Sequence, residues 1–101
     1  GSISDNRLGG WHAYRASKAA LNMLIKNYAI ELVRQKPGHV IVGLQPGTTD
    51  TGLSAPFQRN VPKDQLQTPE FTATRLLGVM RRLRQEDSGG LFDFEGLPFA
   101  P

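Results

Sequence analysis

Cysteine is absent from the 101 residues, histidine occurs twice, and no apolar run approaches the roughly 20 residues that would cross a bilayer. Without cysteine there can be no disulfide and no thiolate metal site, a composition that fits a reducing compartment. His12 and His39 lie far apart with no ligand spacing between them, so a metal site is not expected. No charged stretch is followed by a short apolar one in the manner of a secretory leader. The expectation is a cytoplasmic, soluble chain without membrane association.

Charge of one sign is also scarce. The formal net charge is +3, and the basic residues are spread along the chain among carboxylates. Arg81, Arg82 and Arg84 form the one dense group, at the end of an expected helix, where cations complement the helix dipole. No aromatic residue interleaves with them, and nucleic-acid binding is not expected. Apolar residues make up 39% and charged residues 21%, as in an ordinary globular chain, and the length allows one domain at most, spanning residues 1–101.

The order of elements can be read from breakers and periods. GSISDNRLGG is turn-forming, with Asp5-Asn6 and Gly9-Gly10 as punctuation. From Trp11 to Lys36 no proline or glycine intervenes, and Ala20, Leu21, Leu24, Ile25, Tyr28, Leu32 and Val33 recur at helical spacing, which predicts a long amphipathic helix. After Pro37-Gly38, HVIVGL at 39–44 predicts a short strand buried on both faces. Helix followed by buried strand implies an α/β fold with a parallel sheet. PGTTDTG breaks that strand, and 53–67 predicts a loop with short helical pieces. Thr68-Pro69-Glu70 predicts a helix start, with threonine as N-cap and proline in the first turn, and the helix runs to about Gln85, closed by Ser88-Gly89-Gly90. LFDFEG at 91–96 predicts an edge strand covered on one face.

Tyr14 and Lys18 stand four apart on the long helix and therefore share a face. A phenol ordinarily titrates near pH ~10, and a neighbouring ammonium favours its anionic form. Such a pair taken alone is common on helix surfaces. Ser17 has no histidine or carboxylate placed to activate it as a nucleophile. Pro46-Gly47 follows the expected strand at its carboxyl end, where ligands of parallel sheets bind.

The string YRASKAALNMLIKNYAIEL, the GSI…GG loop before it, the Pro-Gly turn after the strand and the final SGGLFDFEG together resemble the short-chain dehydrogenase/reductase family, in its C-factor-like, carbonyl-reductase-like branch. The resemblance spans nearly all of the chain. It implies the C-terminal part of a Rossmann-like doubly wound parallel sheet without the N-terminal strands. It implies an NAD(P)-dependent oxidoreductase that interconverts a small-molecule carbonyl and an alcohol, with NADP or NAD as cofactor. Tyr14 would be the acid-base residue, and Lys18 would lower the pKa of Tyr14 and hold the nicotinamide ribose. A serine upstream would hold the substrate oxygen: Ser2 is the choice, Ser4 the alternative, and the bland reading of both is a hydroxyl capping its own turn. Pro46, Gly47, Thr48 and Thr49 would border the nicotinamide, and Thr51 would bond its carboxamide or a phosphate oxygen. Residues 53–67 would form a lid, and Trp11, His12, Pro56 and Phe57 would line the pocket, with no catalytic role for His12.

The family's Thr-Gly-x-x-x-Gly-x-Gly turn, which cradles the pyrophosphate at a helix N-terminus, does not occur in this sequence. The fragment is therefore expected to be inactive and marginally stable by itself, with an open strand edge. In the full-length protein a homo-oligomer through the long helix is expected, by way of Leu21, Ile25, Tyr28 and Leu32, unless that stripe faces the sheet. The alternative function is a non-catalytic signalling or dimerisation module derived from the same fold.

Overall fold

Twenty-four residues free of proline and glycine wind into helix α1, His12–Gln35. Trp11 turns the chain into it from the left-handed region, with φ 54. Lys36 N–H closes the last turn on the Leu32 carbonyl, before Pro37-Gly38 ends the helix. The computed structural model describes residues 2–59 and 61–101. After α1 come strand β1 (Gly43–Gln45), helix α2 (Pro69–Arg82) and strand β2 (Leu91–Asp93), with single 3-10 turns at Ala55–Phe57, Lys63–Gln65 and Gln85–Asp87. The side chain of Phe57 lies outside what the structure describes.

β1 and β2 pair in parallel, Gly43 opposite Leu91 and Gln45 opposite Asp93, with α2 in the connection between them. This βαβ unit is the α/β arrangement predicted from the helix-then-buried-strand pattern. Alternate strand residues face opposite sides. A Cβ added to Gly43 would lie 2.7 Å from Leu91 Cδ2 and 3.0 Å from Ile25 Cδ1, so the bare glycine lets α1 and β2 close over β1. Phe92 points the other way, into a cleft with Val79 and Leu83 of the α2 side. The two helices thus cover opposite faces of a short sheet.

α2 begins as its sequence dictates. The Thr68 hydroxyl accepts the Phe71 N–H at 3.1 Å, and Pro69 occupies the first turn. Its inward row is Thr72, Leu76, Val79 and Leu83, of which Thr72 and Val79 are buried. The helix ends at Arg82 rather than near Gln85, because Asp87 accepts the Arg84 N–H at 2.8 Å and winds 85–87 into a separate turn ahead of Ser88-Gly89-Gly90. Arg81, Arg82 and Arg84 are exposed, as a solvated helix end requires.

Both strands are shorter than the apolar runs suggested. Of HVIVGL only Gly43 and Leu44 enter β1, and every residue from Val40 to Leu44 is half-buried rather than buried. Among the described residues β1 has a strand neighbour on one side only; its other edge opens into a groove against α1. LFDFEG stops as strand at Asp93, whose carboxylate accepts the N–H groups of Glu95 and Leu97, both at 2.9 Å, and turns the chain back so that Phe99 N–H reaches Leu91 O. Among the described residues the buried apolar set is Ala29, Val79 and Leu91, while Leu21, Leu24 and Tyr28 remain 45 to 56% exposed. The expected α1 stripe divides accordingly: Ile25 turns to the sheet, Leu21 borders the groove beside it, and Tyr28 is exposed. No helix among the described residues is long and apolar enough to cross a membrane.

Candidate active site

The first two turns of α1 carry Tyr14 and Lys18, and their side chains meet as the four-residue spacing requires. Lys18 Nζ lies 5.6 Å from the centroid of the Tyr14 ring, over its face. Trp11 meets the same ring edge-on, centroids 6.2 Å apart with the planes at 76°. The phenol is half-exposed and opens, with Lys18, into a groove of about 670 Å³. Ser2, Ser4 and Pro46 line that groove too. Residues remote in sequence are thereby collected around one opening: the turn before α1, the helix itself and the corner after β1.

Of the two serines, Ser2 borders the groove while its hydroxyl accepts the Asp5 N–H at 3.2 Å and lies 3.1 Å from the Ser4 hydroxyl. Ser4 donates to Pro101 O at 2.9 Å. Both therefore cap their own loop and the returning chain end as well as facing the opening. Ser17 donates to Tyr14 O at 2.7 Å, within the helix, which is the local back-bond expected of a helical serine. Neither His12 nor Pro56 borders the groove; both are exposed.

The chain past Pro46 leaves the opening and enters a clamp against the start of α2. Gly47 has φ +75, and a Cβ there would lie 2.9 Å from Gln67 Nε2 and 3.2 Å from Phe94 Cε1, so both the backbone and the space call for glycine. Gln67 N–H donates to Thr48 O at 3.0 Å, and Asp50 N–H donates to Gln67 O at 2.8 Å. Side chains extend the clamp: the Thr72 hydroxyl donates to Gln67 Oε1 at 2.9 Å and lies 2.9 Å from the Thr49 hydroxyl. Thr51 accepts the Ser54 N–H at 3.2 Å, while the Ser54 hydroxyl donates to Thr49 O. Gln58 Nε2 reaches both Ser54 Oγ, at 2.9 Å, and Asp50 Oδ1, at 3.1 Å. Thr48, Thr49 and Thr51 thus hold this corner together, whereas Pro46 is the member of the turn that borders the groove.

Gln67 and Thr72 were not among the residues singled out by sequence. A signal for Thr72 existed: it is the polar member of an inward row that otherwise reads Leu76, Val79 and Leu83, and a buried hydroxyl needs a partner.

The arrangement offers a phenol hydroxyl and an ammonium on one open groove, a donor set suited to a sugar hydroxyl and a carbonyl oxygen. It fits the nicotinamide and ribose end of a dinucleotide. The glycine turn for the pyrophosphate end is not in the sequence.

No family model matches the chain. Individual proteins do. The chain is 36% identical over 96 residues to C-signal of Myxococcus xanthus, covering 95% of this chain and 52% of that protein. It is 37% identical over 89 residues to 1-hydroxy-2-glutathionyl-2-methyl-3-butene dehydrogenase of a Rhodococcus species, covering 88% of this chain and 37% of the other. Among solved structures, carbonyl reductase Sniffer of D. melanogaster superposes with a TM-score of 0.83 at 27% identity, over 99% of this chain and 37% of that one. The NADPH-bound carbonyl reductase from chicken fatty liver gives a TM-score of 0.83 at 30% identity, over 99% and 38%. The chain therefore spans about half of the first of these relatives and little over a third of the others.

Proposed function

Because the chain belongs to the short-chain dehydrogenase/reductase family, in its C-factor-like and carbonyl-reductase-like branch, we propose that the complete protein carrying it is an NAD(P)-dependent oxidoreductase acting on a small carbonyl or alcohol. In this reading residues 1–101 are the C-terminal part of one Rossmann-fold domain. The observation that carries it is the convergence of Tyr14, Lys18 and Pro46 on one groove.

Each residue then has a task. The chemistry that a bound NADPH or NADH would supply is a hydride for the carbonyl carbon. Tyr14 gives its phenolic proton to the carbonyl oxygen as the C–H bond forms, and takes a proton from the alcohol in the reverse direction. Lys18 would hold the ribose hydroxyls of the bound cofactor, with its positive charge over the ring of the phenol that loses the proton. Ser2 holds the substrate oxygen. Pro46, Gly47, Thr48, Thr49 and Thr51 shape the corner against which the nicotinamide lies, and residues 53–67 close over the substrate.

By itself the 101-residue chain is inactive in this reading, for want of the pyrophosphate-binding glycine turn. The absence of cysteine favours the cytoplasm. The test is the loss of 340 nm absorbance when the complete protein, NADPH and small aromatic or aliphatic ketones are mixed. Consumption of cofactor with formation of the alcohol supports the reading, and no consumption with any nicotinamide cofactor overturns it.

A second reading, a self-associating module without catalysis, draws on the partly exposed Leu21, Leu24 and Tyr28 of α1. Dimers in size-exclusion chromatography without cofactor binding would favour it. Dimers that also bind cofactor fit the oxidoreductase, whose homo-oligomer would use the same helix.

A further inference from the structure

The corner after β1 is held by side chains that make no approach to the groove. Thr72 is 6% exposed and sits in the first turn of α2. A threonine hydroxyl has one hydrogen, and that of Thr72 goes to Gln67 Oε1 at 2.9 Å; Thr49, at 2.9 Å, must therefore be the donor to Thr72. One hydroxyl thus fixes two partners from different segments. Through Gln67 it fixes more, because the Gln67 backbone bonds Thr48 O and Asp50 N–H, and its Nε2 stands 2.9 Å from where a Gly47 Cβ would be.

We infer that Thr72 is a positioning residue for the cofactor site: by joining Thr49 to Gln67 it holds the backbone from Gly47 to Asp50 and thereby sets Pro46 at the edge of the groove, where the nicotinamide end of NAD(P)H packs. The inference rests on the oxidoreductase reading for its ligand, but the clamp itself is a property of this chain. Valine at position 72 keeps the shape and removes the hydroxyl. Gln67 Oε1 and Thr49 Oγ1 then lose their partner in a half-buried place, and the corner loosens. Serine keeps the hydroxyl.

The test compares Thr72→Val and Thr72→Ser with the parent in the complete protein. Amide hydrogen exchange at Asp50 and Gln67 reads the clamp without any ligand, and fluorescence titration with NADPH reads the site. Thr72→Val is expected to speed exchange at both amides and to weaken NADPH binding, each by about tenfold, with Thr72→Ser close to the parent. The KM for NADPH rises in Thr72→Val while kcat stays within about twofold, since the hydroxyl acts on the shape of the corner and not on proton transfer. Unchanged exchange at Asp50 and Gln67 in Thr72→Val overturns the clamp. Faster exchange with unchanged NADPH affinity overturns its role in the cofactor site. If serine fails as valine does, packing rather than the hydroxyl governs the position, and the inference is wrong. A parent protein with no affinity for NADH or NADPH refutes the oxidoreductase reading and with it the ligand named here, leaving the exchange data to judge the clamp alone.

Discussion

Lys18 holds its ammonium 5.6 Å from the centre of the Tyr14 ring, one helical turn further along α1, and both open onto the groove bordered by Pro46. The relationship follows from backbone geometry: residues four apart on a helix lie one above the other, and long side chains lean toward the N-terminus. Lys18 therefore reaches back over Tyr14. The corner after β1 meets them from across the groove, because α1 packs on β1 through Ile25 at the bare Gly43.

The reading of Lys18 as the residue that grips the ribose makes Lys18→Met informative, since methionine keeps much of the aliphatic stem and drops the charge. Loss of a charged hydrogen-bond donor is expected to weaken NADPH binding roughly tenfold to a hundredfold in the complete protein. Fluorescence titration checks it. Parental affinity in the variant would remove Lys18 from the cofactor site.

Two glycines are expected to respond to alanine with opposite sign. Gly47 has φ +75 and meets Gln67 and Phe94 at the Cβ position, so Gly47→Ala should destabilise the fold by about 1–2 kcal/mol. Gly78 lies inside α2 with open space at the Cβ position, and Gly78→Ala should stabilise by about 0.5–1 kcal/mol. Urea denaturation of the two variants beside the parent measures both. Stabilisation at Gly47 would contradict the constraint placed on that corner.

How much of this was legible in the sequence differs by element. The period of α1 and the Thr68-Pro69-Glu70 start of α2 are local signals, and each element begins within a residue of where they point. The Tyr14–Lys18 pairing was legible for the same reason. Strand extent was not: HVIVGL reads as buried throughout, yet a strand is defined by its partners, and β2 pairs with only two residues of that segment, Gly43 and Leu44, and with Gln45 after it. Asp93 ends β2 early because its carboxylate captures two amides of the next turn, a preference of aspartate that the apolar-acidic alternation of LFDFEG concealed. The clamp was the least legible part. Thr49, Gln67 and Thr72 are joined across a loop, and nothing in the spacing of PGTTDTG announces that its threonines bond the helix beyond rather than a ligand.

Proton transfer by the Tyr14 phenol is tested most directly by single-turnover reduction of a carbonyl substrate by the Tyr14→Phe variant of the complete protein with NADPH already bound. Phenylalanine keeps the ring beside Trp11 and Lys18 and removes only the hydroxyl, so NADPH affinity is expected within about threefold of the parent while hydride transfer slows by about 100-fold or more. Transfer at the parental rate, with NADPH bound as tightly, would contradict the account.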